Sequence, residues 1–328
     1  MPAPHVLFVK LSSLGDVIHH LPAVTDLLEH HPDARITWAV EEAYGDIVRL
    51  HPGVSDVIPV GLRALKANVL DPARWRRVAE ARRALGRGRW DYVIDAQGLI
   101  KSALVARVAH GAAFGFDRRS ARERWAARFY DVKIAVGRER HAVERNRELV
   151  ARIFGYSIDT PARYGLVPPN APPLWAPAGP YAVLLHAASH AAKRWPDDRW
   201  ITLARMLSAS GYATVFPGGS EAERMAAARL ALLVPGALAA PAIGLGDAAA
   251  LIAHAALVAG VDTGLTHLAV ALGRPTVGIY TATRPELTGL HGSDGVNLGG
   301  PGRAPSVEAV AAALGYGESA ESAPIDPA

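Results

Sequence analysis

The chain has 328 residues, of which 50% are hydrophobic and 20% are charged, with a formal net charge of +4. This length predicts two domains of roughly 150 residues, each able to bury its own core. The absence of cysteine excludes disulfide bonds and thiolate metal sites. The uncharged, apolar stretch 230–246 is interrupted by Pro and Gly, and the first ten residues do not resemble a signal peptide. We therefore expect a soluble, cytoplasmic protein.

The first half of the chain alternates between apolar runs and amphipathic segments. The apolar runs predict buried strands, because the strands of a parallel sheet are covered on both faces. The predicted strands are 6–11, 36–40 and 92–96, and the predicted helices are 17–30, 73–86 and 99–109. This alternation predicts a Rossmann-like domain over residues 1–160, with right-handed crossovers.

A proline-rich connector follows, with seven prolines between positions 161 and 180. Proline removes a hydrogen-bond donor and fixes φ, so we predict an extended linker over 161–180. Alternation then resumes and predicts a second Rossmann-like domain over 181–316, with a flexible tail at 317–328. The predicted strands are 181–187, 213–217, 257–261 and 276–280, and the predicted helices are 197–209, 221–233, 247–255 and 265–272. The predicted fold class is α/β, with two parallel sheets facing a central cleft.

Basic residues are concentrated in the first half. Residues 1–165 hold 26 Lys and Arg against 19 Asp and Glu, whereas residues 166–328 hold 9 against 12. Within residues 60–152 the numbers are 22 and 10. A GC-rich genome would explain why 30 of the 35 basic residues are Arg, but it would not explain their position. The excess favours an anionic partner, such as phosphorylated lipid headgroups, an acidic glycan or nucleic acid.

The first predicted strand runs into a turn of small residues at 12–16, and ligands of open α/β sheets bind where strands end. Asp16 at the helix start fits two interpretations. It is either a helix-capping acid or a general base that takes a proton from an acceptor hydroxyl. His19 and His20, one turn later, are interpreted as structural or supporting residues.

A second turn of this kind follows a later strand. Asp262, Thr263 and Gly264 open a helix there, and the free N–H groups and the dipole of a helix start attract a phosphate. An ordinary capped turn is the alternative. Lys193, in the loop after an earlier strand, is either a solvated charge or a partner of the same diphosphate.

Five segments, in this order, resemble the ADP-heptose glycosyltransferases, glycosyltransferase family 9, and within that family the heptosyltransferase I branch. They are residues 10–22 (KLSSLGDVIHHLP), 95–102 (DAQGLIKS), 120–123 (SARE), 141–145 (HAVER) and 262–269 (DTGLTHLA). The resemblance runs from about residue 6 to residue 314. It implies a GT-B fold and an inverting transfer of L-glycero-D-manno-heptose from ADP-heptose to the Kdo of Kdo2-lipid A.

The resemblance also implies roles for individual residues. Asp16 matches the proposed base of the family, and Glu221 matches an acid that accepts hydrogen bonds from ribose hydroxyls, with helix capping as its alternative. His267 lies one helical turn from Gly264 and is either a phosphate or heptose contact or a packed histidine. Family members often have two threonines where this chain has Ala188 and Ser189, so only Ser189 supplies a hydroxyl. The implied donor-binding residues are Ser189, Lys193, Glu221, Asp262, Thr263, Gly264 and His267.

The acceptor side is expected in the basic half, because Arg meets carboxylate and phosphate groups bidentately. The implied acceptor-binding residues are Ser13, Gly15, Arg63, Lys66, Lys101, Arg118, Arg119, Arg122 and Arg145. The implied partners are ADP-L-glycero-β-D-manno-heptose and Kdo2-lipid A, without nucleic acid. The implied location is peripheral, on the cytoplasmic face of the inner membrane of a Gram-negative bacterium.

The sequence predicts no cofactor and no metal. The 13 histidines show no His-Glu-x-x-His spacing, and there is no Asp-x-Asp pair. A helix start and a lysine reduce the need for a divalent cation at a diphosphate. The lack of P-loop and Gly-x-Gly-x-x-Gly motifs argues against an NTPase and a dinucleotide dehydrogenase. The remaining alternatives are a sister ADP-heptose transferase acting on a later core heptose or another surface glycan, a nucleotide-sugar epimerase of similar fold, and a non-catalytic anionic-glycan binder.

Overall fold

The computed structural model describes residues 3–63, 68 and 70–316. It divides into two compact units, Met1–Val167 and Pro168–Ala328, so the boundary falls inside the predicted linker. Lys66 and the predicted tail lie outside the described residues.

The first unit contains a parallel sheet of six strands in the order β3-β2-β1-β4-β5-β6. Its strands are β1 (His5–Val9), β2 (Arg35–Val40), β3 (Val54–Pro59), β4 (Arg89–Asp95), β5 (His110–Phe116) and β6 (Val132–Ile134). Its helices are α1 (Leu14–Ile18), α2 (Leu21–His30), α3 (Gly45–Arg49), α4 (Pro72–Arg87), α5 (Ile100–Val108) and α6 (Ala142–Phe154), with 3-10 turns at Glu42–Tyr44 and Ala126–Phe129.

Helices cover both faces of this sheet. On one face, Ala81 and Leu85 of α4 and Val105 of α5 pack on Leu7 and Val9 of β1. On the other face, α2 and α6 pack against each other. Because both faces of the sheet are covered, β1 is an unbroken apolar run in the sequence.

A buried ion pair joins α2 to α6. The guanidinium of Arg147 donates to both carboxylate oxygens of Asp26 at 2.7 and 3.1 Å, and the two side chains are 3% and 5% exposed. The same guanidinium donates to the carbonyl oxygen of Thr160 at 2.7 Å. The end of the predicted first domain is therefore fixed to its own unit.

The second unit repeats the architecture, with strand order β12-β11-β10-β7-β8-β9. Its strands are β7 (Tyr181–Leu185), β8 (Ala213–Phe216), β9 (Leu238–Ala239), β10 (Leu257–Val261), β11 (Thr276–Tyr280) and β12 (Gly295–Gly299). Its helices are α7 (Asp197–Ala209), α8 (Glu221–Leu232), α9 (Leu245–Ala253), α10 (Gly264–Ala271), α11 (Pro285–Thr288) and α12 (Val307–Ala313), with a 3-10 turn at Ala191–Lys193.

The predicted helix 17–30 is wrong in its continuity, because the structure has α1 and α2 with a break at His19 and His20. Pro22 explains the break. It occupies the first turn of α2, where a missing N–H is tolerated, whereas its ring would clash inside a continuous helix.

Several strands, among them β5, were not predicted from the sequence. A Cβ on Gly111 would lie 2.3 Å from the backbone oxygen of Trp90, and one on Gly115 would lie 2.4 Å from the ring of Tyr130. Close packing requires glycine at these positions, and glycine weakens the strand pattern in the sequence.

In both sheets, the direction in which the chain adds successive strands reverses at a central pair of strands. In the first unit the chain leaves β1 toward one edge of the sheet and resumes at β4 toward the other, and β7 and β10 form the same junction in the second unit. The loops that follow these strands diverge, and the crevice at such a point is where open α/β sheets bind ligands. The Asp16 turn follows β1 and the Asp262 turn follows β10, so both predicted turns lie at these junctions.

Candidate active site

The carboxylate of Asp16 lies in the turn that joins β1 to α1. Asp16 is the third residue of α1, and the backbone N–H of Ser13 donates to its Oδ2 at 3.0 Å, as in helix capping. The Nη1 of Arg122 donates to the same oxygen at 3.0 Å, and the Asp16 side chain remains 24% exposed. The carboxylate thus makes the capping contact and is still accessible beside a cation.

Two cations control the ionisation of Asp16. Burial alone raises the pKa of this carboxyl, but the charges of Lys10 and Arg122 and the hydrogen bonds from Ser13 and Arg122 lower the pKa below its ordinary value. Asp16 is therefore ionised at neutral pH, in the form that can accept a proton.

Lys10 is a site residue that the sequence analysis missed. It directly follows β1 and is only 5% exposed, and its Nζ donates to the carbonyl oxygen of Ala96 at 2.7 Å and to Oδ1 of Asn146 at 3.3 Å. Burial lowers the pKa of Lys10 to about 8, although the nearby charge of Asp16 opposes this shift. The available signal is a lysine at the end of an unbroken apolar strand, because lysine is almost never buried without a partner.

Gln97 holds the backbone of the Asp16 turn from the loop after β4. Its Oε1 accepts hydrogen bonds from the N–H groups of Leu11 at 2.8 Å and Ser12 at 3.4 Å. Its Nε2 donates to the carbonyl oxygen of Ser12. Gln97 therefore joins the two loops that flank the junction of β1 and β4.

The buried carboxylate of Asp95 supports Gln97 in turn. Asp95 accepts hydrogen bonds from the Gln97 N–H at 2.8 Å, from Ser102 Oγ at 2.8 Å and from Tyr130 Oη at 2.7 Å. Burial raises the pKa of Asp95 in spite of these donors. These hydrogen bonds hold the loop after β4 in place.

Several predicted acceptor residues belong to this turn or contact it. Ser13 and Gly15 are part of its backbone, and Lys101 donates from Nζ to the hydroxyl of Ser12 at 3.2 Å. Together with Arg122, Lys101 places a second exposed cation beside the turn. Two exposed cations at this position can attract an anion.

Arg145 and Arg63 contact residues near the Asp16 turn and not the turn itself. Arg145 donates to the carbonyl oxygen of Ser120 at 2.6 Å. Burial, followed by the charges of Arg138 and Arg122, lowers the pKa of Arg145.

The backbone N–H of Arg63 donates to the carboxylate of Glu41 at 3.2 Å, while the Arg63 guanidinium contacts the Tyr44 hydroxyl. Glu41 donates from its own N–H to the carbonyl oxygen of Leu11 at 3.1 Å, so Arg63 is linked to the start of the turn.

The described contacts of Arg118 and Arg119 do not reach the Asp16 turn. The Arg118 guanidinium lies 5.6 Å from the ring centroid of Trp125, and Arg119 is exposed, with its N–H donating to Asp117 at 3.1 Å. The acceptor role of these two arginines stays a prediction.

The histidine pair after Asp16 makes packing contacts. The His20 ring is buried, and its centroid lies 4.7 Å from that of Phe8 and 5.1 Å from that of Trp38. Burial lowers the pKa of His20 well below its ordinary value. The His19 ring lies 5.4 Å from that of His141. These contacts agree with the structural interpretation of both histidines.

Asp262 is the centre of a polar cluster at the carboxyl edge of the second sheet. Its Oδ2 accepts hydrogen bonds from Lys193 Nζ and Thr283 Oγ1, both at 2.7 Å. The Nε2 of His267 lies 3.5 Å from Oδ1. Lys193 follows β7, Asp262 follows β10 and Thr283 follows β11, so the cluster joins the loops of three adjacent strands.

Asp262 is a permanent anion at neutral pH. Burial raises its pKa, but the hydrogen bonds from His267, Lys193 and Thr283 and the charge of Lys193 lower the pKa far below its ordinary value. The Lys193 side chain is 25% exposed. An ammonium has three donors, so Lys193 can bind Asp262 and still donate to a phosphate.

Helix α10 begins beside this cluster. Thr263 is its N-cap and Gly264 is its first residue, and the Thr266 hydroxyl donates to the carbonyl oxygen of Val261 at 2.7 Å. A Cβ on Gly260 would lie 2.3 Å from that hydroxyl, so glycine allows α10 to pack closely on β10. The first N–H groups of the helix point out of its end, where the dipole attracts an anion.

Ser220 is the N-cap of α8, and Glu223, not Glu221, completes its capping box. The Oε2 of Glu223 accepts hydrogen bonds from the N–H groups of Gly219 and Ser220, both at 2.9 Å. Ser220 returns the contact by accepting from the N–H of Glu223 at 3.2 Å. Glu221 is exposed in the first turn, and Ser189 is exposed in the loop after β7. Both side chains are accessible to a nucleotide.

In the part of the chain that the structure describes, no helix is long and apolar enough to cross a membrane. Within the same residues, no group of three or more His, Asp or Glu side chains is placed to hold a metal ion.

Comparisons with known proteins agree over most of the chain. Residues 78–313 match the model of glycosyltransferase family 9 (heptosyltransferase). Lipopolysaccharide heptosyltransferase 1 of Escherichia coli O18:K1:H7 is 42% identical over 90% of this chain and 92% of that protein. The structure of the E. coli heptosyltransferase WaaC with ADP aligns with a TM-score of 0.86 and 38% identity, over 93% of this chain and 97% of that chain. WaaC with ADP-2-deoxy-2-fluoro heptose aligns with a TM-score of 0.84 and 36% identity, over 96% and 100%.

These similarities confirm the predicted α/β fold of the GT-B class, with a Rossmann-like sheet in each unit. They also confirm the interpretation as a glycosyltransferase rather than an epimerase or a non-catalytic binder. The chain belongs to glycosyltransferase family 9, the heptosyltransferases.

Proposed function

We propose that this enzyme transfers L-glycero-D-manno-heptose from ADP-heptose to the Kdo region of Kdo2-lipid A, with inversion at the anomeric carbon. The observation that carries the proposal is the Lys193–Asp262 cluster at the start of α10. A fixed ammonium and a helix N-terminus at a sheet junction form a site for a diphosphate. The similarity to a type 1 lipopolysaccharide heptosyltransferase supports the choice of sugar and of core position.

Different predicted residues bind different parts of the donor. Lys193 and the first N–H groups of α10 bind the diphosphate, and Thr263 adds a hydroxyl. Glu221 is exposed and free of the capping contact that Glu223 makes, which supports its predicted role toward the ribose. Asp262 does not face the phosphate as a ligand, because both groups are anionic. It holds Lys193 in position instead.

Asp16 supplies the base. Its carboxylate accepts the proton of a Kdo hydroxyl while that oxygen forms a bond to C1 of the heptose. The bond between C1 and the diphosphate oxygen breaks, and ADP leaves with the electron pair, stabilised by Lys193 and the α10 dipole. Attack from the opposite face converts the β-linked donor into an α-linked product.

The acceptor meets the cations around the Asp16 turn. Lys101 and Arg122 are exposed beside it, which supports contacts with Kdo carboxylates or lipid A phosphates. Because lipid A is a membrane lipid, the enzyme works at the cytoplasmic face of the inner membrane as a peripheral protein.

Incubation of the purified chain with ADP-heptose and Kdo2-lipid A tests the proposal. The expected result is a lipid product heavier by one heptose in the mass spectrum, with one ADP released per heptose transferred. Asp16→Asn serves as the inactive control.

The other outcomes contradict the proposal in distinct ways. Transfer only to an acceptor that already carries heptose would identify a sister transferase. A donor of altered stereochemistry would indicate an epimerase. ADP-heptose binding without any product would show that the protein does not catalyse the transfer.

A further inference from the structure

Two tryptophans of the first unit are exposed, although its other two are buried. Trp75 is 53% exposed and Trp125 is 44% exposed, whereas Trp38 and Trp90 are buried. Leu104 on α5 is 50% exposed. Because α5 packs against both α4 and the 3-10 turn that follows Trp125, the three exposed apolar side chains belong to one helical layer.

This layer is strongly basic. Residues 72–128 contain 14 Lys and Arg against five Asp and Glu. The guanidinium groups of Arg118, Arg124 and Arg128 lie 5.6, 5.2 and 5.2 Å from the ring centroid of Trp125, and the residue after Trp75 is an exposed arginine. We define the Trp–Arg surface as Trp75, Arg76, Leu104, Arg124, Trp125 and Arg128.

The Trp–Arg surface lies at the edge of the sheet that carries Asp16. Trp75 is in the first turn of α4, and a crossover helix begins at the carboxyl edge of a parallel sheet. Near Trp125, Glu123 accepts a hydrogen bond from the N–H of Ile100, the first residue of α5, at 2.6 Å. The neighbouring Arg122 reaches Asp16. Both tryptophans therefore lie near the carboxyl edge of the first sheet, where Asp16 also lies.

The combination of side chains favours the surface of an anionic bilayer. Tryptophan prefers the headgroup level of a membrane, where its ring meets apolar and polar surroundings together. Arginine binds phosphate bidentately, and each basic side chain near an anionic membrane strengthens binding about fivefold. A nucleic acid would satisfy the arginines but would leave Leu104 without an apolar partner.

We propose that the Trp–Arg surface docks the enzyme on an anionic phospholipid bilayer. The inference rests on the proposed function, because a lipid acceptor requires the enzyme to work at a bilayer. Docking through this surface brings the Asp16 turn to the headgroup level, where the Kdo of the acceptor is presented.

Flotation of the full chain with vesicles tests the proposal without donor or acceptor. We expect binding to phosphatidylcholine vesicles that contain phosphatidylglycerol and none to phosphatidylcholine alone. The variants Trp75→Ser/Leu104→Ser and Arg76→Ala/Arg128→Ala should each weaken binding at least about tenfold. The matched control is Arg229→Ala/Leu232→Ser, which removes an exposed arginine and an exposed leucine from α8 of the second unit.

Parallel assays separate docking from catalysis. The Trp75→Ser/Leu104→Ser variant should transfer heptose to a water-soluble Kdo acceptor at the wild-type rate, and unchanged ADP affinity shows that it is folded. Wild-type protein that ignores phosphatidylglycerol, or surface variants that bind like the control, would overturn the docking proposal even with transfer intact. RNA binding in place of vesicle binding would also overturn it. Vesicle binding without any transfer would instead contradict the proposed function.

Discussion

At the residue scale, Asp16 Oδ2 accepts hydrogen bonds from the Ser13 N–H and from Arg122, each at 3.0 Å. Asp16→Asn keeps the size and the capping oxygen but cannot accept a proton. We expect turnover to fall by roughly 10²–10⁴-fold, with an unchanged thermal midpoint. Steady-state transfer assays measure this, and near-normal turnover would leave Asp16 as a helix cap only.

The ion pair between Arg122 and Asp16 predicts a shift in the pH profile. Arg122 helps to lower the pKa of Asp16, so Arg122→Gln should raise that pKa and move the acid limb of kcat/KM to higher pH. Because the ordinary pKa of an aspartate is about 4, the variant should lose activity at a higher pH than wild type as the pH falls below about 5. Arg229→Gln, which changes an exposed arginine of the second unit, is the control. Parallel profiles for all three proteins would show that Arg122 does not control the base.

The pair of Lys193 and Asp262 predicts a non-additive effect on ADP binding. Lys193→Ala removes a charge-assisted contact and leaves the Asp262 carboxylate without its ammonium partner beside the diphosphate. We expect a loss of about 10–100-fold in ADP affinity by calorimetry. Asp262→Ala should cost less, and the double variant should bind ADP more tightly than Lys193→Ala alone. An unchanged dissociation constant for Lys193→Ala would exclude Lys193 from the site.

At the element scale, Gln97 connects the loop after β4 to the loop after β1. Gln97→Ala leaves the buried N–H groups of Leu11 and Ser12 without their acceptor, which costs about 1–3 kcal/mol for each unsatisfied group. We expect at least about a tenfold fall in kcat, because the Asp16 turn loses its support. ADP affinity should not change, because the donor residues lie in the other unit. Gln97→Glu keeps the accepting oxygen but loses the donor to the Ser12 carbonyl, so it should recover only part of kcat.

Equal losses of kcat for Gln97→Ala and Gln97→Glu would contradict this assignment. A fall in ADP affinity would indicate a general loss of folding instead.

At the scale of the whole molecule, the basic excess lies in the first unit, whereas the donor residues lie in the second. Exposed charges are screened over about 8 Å at physiological ionic strength. We therefore expect the acceptor KM to rise with salt more than the donor KM does. Arg119→Ala/Arg122→Ala should raise the acceptor KM without abolishing ADP binding. Kinetics across a salt series check this, and an acceptor KM indifferent to both changes would make the excess purely compositional.

The sequence by itself determined the order of the main elements and the positions of the two turns. Buried parallel strands are apolar throughout, so β1, β2, β4, β7, β8, β10 and β11 could be predicted. Short or glycine-containing strands such as β5, β6 and β9 could not, because their packing depends on neighbouring strands. The small, polar residues at each turn indicated Asp16, Asp262 and Lys193, since local chemistry at a strand end is visible in the chain.

Only the tertiary structure decided which side chains meet. Asp16 and Arg122 are 106 positions apart, and Lys193 and Asp262 are 69 apart. The strand order brings these pairs together, and no local pattern encodes strand order. Burial likewise decided the part played by Lys10, because the same lysine would be an ordinary cation in water and has a lowered pKa only inside the protein.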